Sequence, residues 1–271
     1  MSEEITRIVR DFYNQDPYYE WARLDRHPSE FLVTKHQLLR YIQPGDSVLD
    51  LGGGPGRYAL SLAELGCQVT LMDLSEVHID FALAKAESQG LALEAMQGDI
   101  LDAPKLLNGR QFDHVLVMGP LYHLLQESER GAAMTNALLL TKPGGRVFAS
   151  FLLLFSGIIF YMTRAPWWIN ETVESPFLDA LLQDESYGGA AFTQAFFIRQ
   201  GDILPFMQRF GLEDQHIFGQ ESILAAFEGK WLEQSPNVRQ AWLDLAIALC
   251  ERPEYLSYSE HVMVHGRKPA A

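Results

Sequence analysis

Val48-Leu49-Asp50-Leu51-Gly52-Gly53-Gly54-Pro55-Gly56-Arg57 is the most constraining segment of this 271-residue chain. Its first four residues have the character of a buried strand, its glycines that of a tight turn, and apolar residues at helical spacing resume from Tyr58. Glycine in such a turn permits positive φ and lets a ligand approach the backbone with no Cβ in the way. Strand, glycine turn and helix together form the context that a nucleotide-type site requires. The spacing Asp50-x-Gly52-x-Gly54-x-Gly56 differs from the Gly-x-Gly-x-x-Gly of a dinucleotide site, and Gly-Lys-Ser/Thr is absent. A carboxylate at Asp50 would repel a pyrophosphate and suits a cationic group instead.

Outward from this segment, short apolar runs alternate with amphipathic stretches. Strands are expected at 48–51, 69–72, 91–96, 112–118 and 145–151, and helices at 58–65, 76–88 and 127–140. Near-continuous apolar strands alternating with helices predict an α/β fold, a doubly wound Rossmann-like sheet covered on both faces. Thr141-Lys142-Pro143-Gly144-Gly145 is expected to be a tight turn before the fifth strand. Residues 1–45 form an N-terminal helical cover, with helices over 2–14 and 29–42 and Ser2 as the first N-cap. Residues 46–151 make the cofactor-binding half, and 152–200 a cap insertion rich in aromatics, among them Phe155, Phe160, Tyr161, Trp167, Trp168, Phe192, Phe196 and Phe197. Residues 201–271 complete the sheet with strands near 212–218 and 259–266.

A second carboxylate, Asp73, closes the second strand about 20 residues after the glycine turn, where it can accept from both hydroxyls of a ribose, with Leu74 beside it. Asp99 follows the third strand, placed to accept an adenine amino group while Ile100 packs on the ring. The α-ammonium of S-adenosylmethionine is one cationic group that would suit Asp50. Asp-Leu-Gly-Gly-Gly-Pro-Gly at 50–56, Asp73, Gly98-Asp99, Phe112-Asp113 and Lys142-Pro143-Gly144-Gly145, in this order, resemble the class I S-adenosylmethionine-dependent methyltransferase family. The resemblance is strong over about residues 46–151 and weak at 212–218 and 259–266. It implies S-adenosyl-L-methionine as cofactor and a seven-stranded sheet of order 3-2-1-4-5-7-6 with the last strand antiparallel. It further implies that Gly52, Gly54 and Gly56 line the methionine moiety and that Met118 and Gly119 lie beside the methyl group. In relatives the N-terminal segment folds over the cofactor, so Tyr18 or Tyr19 would close the site and Arg23 or Arg57 would meet the methionine carboxylate.

The acceptor is less constrained. His123, just past the fourth strand, and its neighbour Tyr122 are candidate general bases, while Asp113, at the opposite end of that strand, reads as structural. The histidines show no metal-ligand spacing, so no metal site is expected. Thirty-five acidic against 21 basic residues give a net charge of −14, and the only adjacent basic pair is Arg267-Lys268, which disfavours a nucleic-acid binder. Two distant cysteines, no export-signal pattern at the N-terminus and no apolar run of spanning length point to a soluble, cytoplasmic protein. The expected activity is methyl transfer to a small organic molecule. Two alternatives stand beside it. The tail from Leu249 to Pro269 is similar to bacterial tRNA carboxymethoxyuridine methyltransferases, which implies a tRNA wobble-uridine carboxylate as acceptor. A non-catalytic protein binding S-adenosylmethionine or S-adenosylhomocysteine would keep the same glycine turn.

Overall fold

The computed structural model describes residues 3–171 and 175–270, which leaves the Ser2 cap outside the described residues. Five parallel strands, β1 (Ser47–Leu51), β2 (Gln68–Asp73), β3 (Glu94–Gln97), β4 (Phe112–Val117) and β5 (Thr141–Leu152), come first. A hairpin of β6 (Tyr187–Ala190) and β7 (Gln194–Phe197) stands apart from the main sheet. Then β8 (Glu213–Gly219) and β9 (His261–Arg267) complete a seven-stranded sheet of order 3-2-1-4-5-9-8. β9 runs antiparallel to both β5 and β8. With the hairpin strands set aside, this is the expected order.

The alternation of side chains along β1 explains the two layers. Leu49 and Leu51 join Val115, Val117, Ala133, Met134, Ile203 and Met207 in a core under the helices Glu127–Leu139 and Gln200–Gln208. Val48 faces the other way and joins Leu71, Leu116 and Phe148 with residues of Pro28–Leu38, Arg57–Leu65, Glu76–Gln89 and Pro236–Leu249.

The expected turn before β5 is part of the strand. Phe112 pairs with Thr141 but His114 with Arg146, so residues 142–145 bulge, with Gly144 at φ +79°. A Cβ on Gly145 would lie 2.5 Å from the Asp113 carbonyl oxygen, and Gly144 N–H donates to Lys268. Pro-Gly-Gly here kinks a paired strand between two neighbours instead of ending it.

Between β5 and β8 the chain forms the helices Leu154–Arg164 and Pro176–Gln183 and then the hairpin. Leu152, Leu154, Phe177, Ala195 and Phe197 make a separate small core, with Trp168 and Tyr187 against it. Gly157 makes room for Phe177, because a Cβ there would sit 2.4 Å from its ring. Tyr161 and Trp168 stack at 3.7 Å, Phe196 carries the Arg130 guanidinium, and Phe155, Phe160 and Trp167 face solvent. Among the described residues no helix is long and apolar enough to cross a membrane.

Candidate active site

The C-terminal ends of β1, β2 and β4 open into one crevice, where helices on both faces leave the strand ends uncovered. Gly52 (φ +70°) and Gly54 (φ +57°) take conformations that only glycine adopts cheaply. Gly52 is also hemmed in, since a Cβ would lie 2.4 Å from Pro120 Cγ. Gly52 N–H donates to the Met72 carbonyl, and Gly119 approaches so closely that a Cβ there would be 2.9 Å from the Gly52 oxygen.

Asp73 organises the turn. One carboxylate oxygen accepts from Gly54 N–H and the other from Ser75 N–H, both at 2.8 Å. Each oxygen retains a lone pair, enough to receive two hydroxyls. Asp99 spends one oxygen on Leu101 N–H at 2.9 Å and lies against the crevice together with Leu74, Ile100, Met118 and Gly119. Arg57 also lines it, with its guanidinium donating to Asp25 and lying over the Trp21 ring.

Asp50, Gly56 and Tyr19 stand apart from the crevice wall. Alternation turns Asp50 to the Val48 face, beneath the glycine turn, where it is 0% exposed and neither oxygen has a partner. A Cβ on Gly53 would lie 2.3 Å from Asp50 Oδ2, so the carboxylate faces the underside of the turn. Burial, and then the nearby Asp73 charge, push its pKa up to about 7. Gly56 caps the Arg57–Leu65 helix and sits 3.1 Å, at its would-be Cβ, from Ala82, which makes it a helix-packing glycine. Tyr19 is 58% exposed and carries the Arg26 guanidinium on its ring.

The Asp50 carboxylate costs the free protein stability. Its pKa in the fold lies above the ordinary value near 3.9, so stability is full below pH 4 and is lost as the pH rises through about 7. Asp50→Asn is therefore expected to match the parent at pH 4 and to exceed it by about 2 kcal/mol or more at pH 8. Urea unfolding at the two pH values checks this, and an equal gap at both would mean that the carboxylate is already paired.

Beyond Met118 the crevice continues between His123, Tyr122 and the N-terminal segment. Tyr122 donates its hydroxyl to the Met118 carbonyl, and burial raises its pKa. His123 is 7% exposed, with its pKa lowered chiefly by burial. Glu20, Arg23, Glu30 and Gln220 contribute the polar part of this end. Arg23 donates to Glu20 and, through two nitrogens, to Glu30. Behind Glu30 lie Glu221 and His261, 2.7 Å apart. Burial opposes the charged ring of His261, but Glu221 and Glu30 outweigh it and push its pKa up to about 9. Glu30, Glu221 and His261 could together hold a cation, yet Arg23 and the His261 ring already engage their carboxylates.

The sequence passes over several residues that the fold brings here. Val9 and Tyr13 reach the crevice from the helix Glu3–Tyr13, and their spacing of four was the available signal. His78, buried on the first turn after Ser75, has both ring nitrogens unpartnered and lies 3.6 Å from Asp73. Asp113, at the far end of β4, accepts from Ser47 and Lys142. The insertion aromatics approach the site mainly through Phe192, whose ring is 5.9 Å from His123 and 6.0 Å from Phe12.

Against known proteins, the model for a methyltransferase domain matches residues 48–145. A ubiquinone biosynthesis O-methyltransferase of Coxiella burnetii is 35% identical over 117 residues, covering 41% of this chain and 48% of that protein. The chain thus spans about half the length of the curated relatives it matches. Among solved structures, a SAM-dependent methyltransferase from Archaeoglobus fulgidus aligns at TM-score 0.58 and 17% identity, over 93% of this chain and all (100%) of that one. Magnesium protoporphyrin IX methyltransferase from Synechocystis PCC 6803, solved with bound SAH, aligns at TM-score 0.57 and 15% identity, over 97% and 99%. At these identities the two structures speak for the fold. The glycine turn that a Cβ would fill, the free lone pairs of Asp73 and the unpaired Asp50 beneath the turn fit a cationic nucleoside ligand. Residues 48–145 thus match a methyltransferase domain, set within a seven-stranded sheet of order 3-2-1-4-5-9-8.

Proposed function

We propose that the protein transfers the methyl group of S-adenosyl-L-methionine to a small organic acceptor. The observation that carries this reading is the continuity of the crevice. The nucleoside cradle of Gly52, Gly54, Asp73 and Asp99 runs without a wall into a polar end built from Glu20, Arg23, Tyr122 and His123. Much of that end comes from residues 9–30 and Gln220, outside the matched domain, so acceptor choice rests largely on parts beyond it. The curated O-methyltransferase relatives support a small-molecule acceptor.

The sulfonium of the cofactor supplies an already activated methyl group. The protein's work is to orient the two reactants and exclude water. Asp73 would hold the ribose, Asp99 and Ile100 the adenine, and Met118 and Gly119 the space beside the sulfur. The helix Glu3–Tyr13 covers the opening through Val9 and Tyr13. Burial lowers the His123 pKa and so favours its neutral ring, whose two nitrogens are engaged by Tyr13 and the Gln194 carbonyl.

Isothermal titration calorimetry is expected to show S-adenosylhomocysteine binding, weakened about 30-fold or more in Asp73→Ala, which loses both the hydroxyl acceptor and the anchor of Gly54. Absence of binding to the parent protein would end the reading. A screen of small acceptors read by S-adenosylhomocysteine release tests the transfer itself.

A further inference from the structure

From the hydrogen-bond chain at the acceptor end we infer that Tyr13 and His123 act as one proton relay, and that the acceptor is a phenol-like or enol-like hydroxyl. The inference rests on the proposed methyl transfer and goes beyond it in naming the residue that meets the acceptor and the acidity of the group it meets.

His123 Nδ1 lies 2.9 Å from the Gln194 carbonyl oxygen. A carbonyl only accepts, so Nδ1 carries the proton and Nε2 presents its lone pair. Tyr13 Oη lies 2.8 Å from that Nε2 and is its donor. His123 is therefore not a free base waiting in the crevice, because its one basic nitrogen is already bonded. An acceptor can reach it only through the hydroxyl of Tyr13, a residue that lines the crevice and whose oxygen has lone pairs to spare. Burial raises the Tyr13 pKa well above 10, so the phenol keeps its proton until another arrives. The arrangement is held from both sides. The Tyr13 ring meets His123 edge-on at 5.3 Å and His78 at 5.7 Å, and Phe12 and His123 both contact Phe192 of the hairpin. The groups facing the imidazole are Tyr13 on the N-terminal helix, Tyr122 beside it, Gln194 on β7, and the Asp73 and Glu20 carboxylates.

The step balances. The acceptor O–H gives its proton to Tyr13 Oη as the Tyr13 proton passes to His123 Nε2. The electron pair left on the acceptor oxygen forms the new bond to the methyl carbon, and the carbon–sulfur pair returns to sulfur. The positive charge of the sulfonium ends on the imidazolium, which Asp73 and Glu20 favour. The proton ends on a neutral imidazole, so the transfer is efficient only when the acceptor O–H is acidic enough to give its proton up to one, as a phenol or an enol is. An aliphatic alcohol is too weak an acid, and a carboxylate, already ionised, has no proton to give and no use for the relay.

Imidazole-detected nitrogen-15 NMR on the free protein and its S-adenosylhomocysteine complex tests the chain directly. His123 should be the Nδ1-protonated tautomer with a low titration midpoint, and Tyr13→Phe should raise that midpoint by about half a unit or more, as the donor that favours the neutral ring is lost. An Nε2-protonated ring, or a midpoint unmoved by Tyr13→Phe, overturns the relay. In turnover assays with a panel of substituted phenols and of carboxylic acids, Tyr13→Phe should lose about 100-fold in phenol methylation, with S-adenosylhomocysteine affinity kept within about threefold. Preferential methylation of the carboxylic acids, indifferent to Tyr13, overturns it as well. If the parent protein does not bind S-adenosylhomocysteine at all, the methyltransferase reading fails. Binding with an unmoved His123 midpoint defeats the relay alone.

Discussion

Gly52→Ala is expected to weaken S-adenosylhomocysteine binding by about 100-fold or more, while Gly45→Ala leaves it unchanged. Both glycines have positive φ, +70° and +94°, so each substitution carries the same kind of backbone strain, about 1–2 kcal/mol. They differ in what the new Cβ meets. Around Gly45 there is nothing within 4 Å, whereas at Gly52 the Cβ would lie 2.4 Å from Pro120 Cγ and 2.6 Å from Cδ. Pro120 is held in the turn that follows β4 and cannot rotate away, since its ring is tied to the backbone. The glycine turn must retreat instead, which breaks the approach of Gly119 and the alignment of Gly54 on Asp73. Calorimetry on the two variants separates strain from intrusion. Equal losses of affinity in both would refute the geometric argument.

Arg23→Met is expected to cost about 3 kcal/mol in urea unfolding. The guanidinium satisfies both oxygens of Glu30, whose side chain is 7% exposed, and it also bonds Glu20. Burial alone would raise the Glu30 pKa, and Arg23 reverses this and holds it below the usual carboxylate range. Without Arg23 the buried carboxylate loses its two-nitrogen partner and is left with His261, a ring it shares with Glu221, and breaking a buried pair costs more than the pair contributes. The low end of the usual range applies because Arg23 itself is 29% exposed. Replacing both partners, Arg23→Met with Glu30→Met, should recover most of the loss. A single-variant cost under about 1 kcal/mol would show that Glu30 takes up a proton with little penalty.

The sheet and the glycine-turn half of the crevice were legible because both follow from local pattern. Apolar runs fixed β1 to β4 to within a few residues, and Gly52, Gly54, Asp73, Asp99 and Ile100 lie at strand ends that converge by topology alone. The depth of Asp50 was not legible, since motif position says which strand end a carboxylate occupies but the alternation of β1 decides which face it takes. The Pro-Gly-Gly bulge in β5 has the local pattern of a turn, because its pairing with β4 and Lys268 is not local. The acceptor end was the least legible. Val9, Tyr13, Glu20, Glu30 and Gln220 meet there from widely separated segments, and no spacing in the chain announces a contact such as that of Tyr13 with His123, 110 positions apart.

The lane of β9 matters for how the chain is made. On the ribosome, β5 and β8 both emerge with an open edge turned toward a strand that does not yet exist, and Phe148 and Phe218 wait beside that gap. The strands that carry the glycine turn can pair early, but the molecule closes only when His261–Arg267 slides in between its two neighbours. Until then each nascent copy displays the unpaired edges of β5 and β8 that β9 will cover, so crowding on a polysome is the moment of greatest exposure to mispairing.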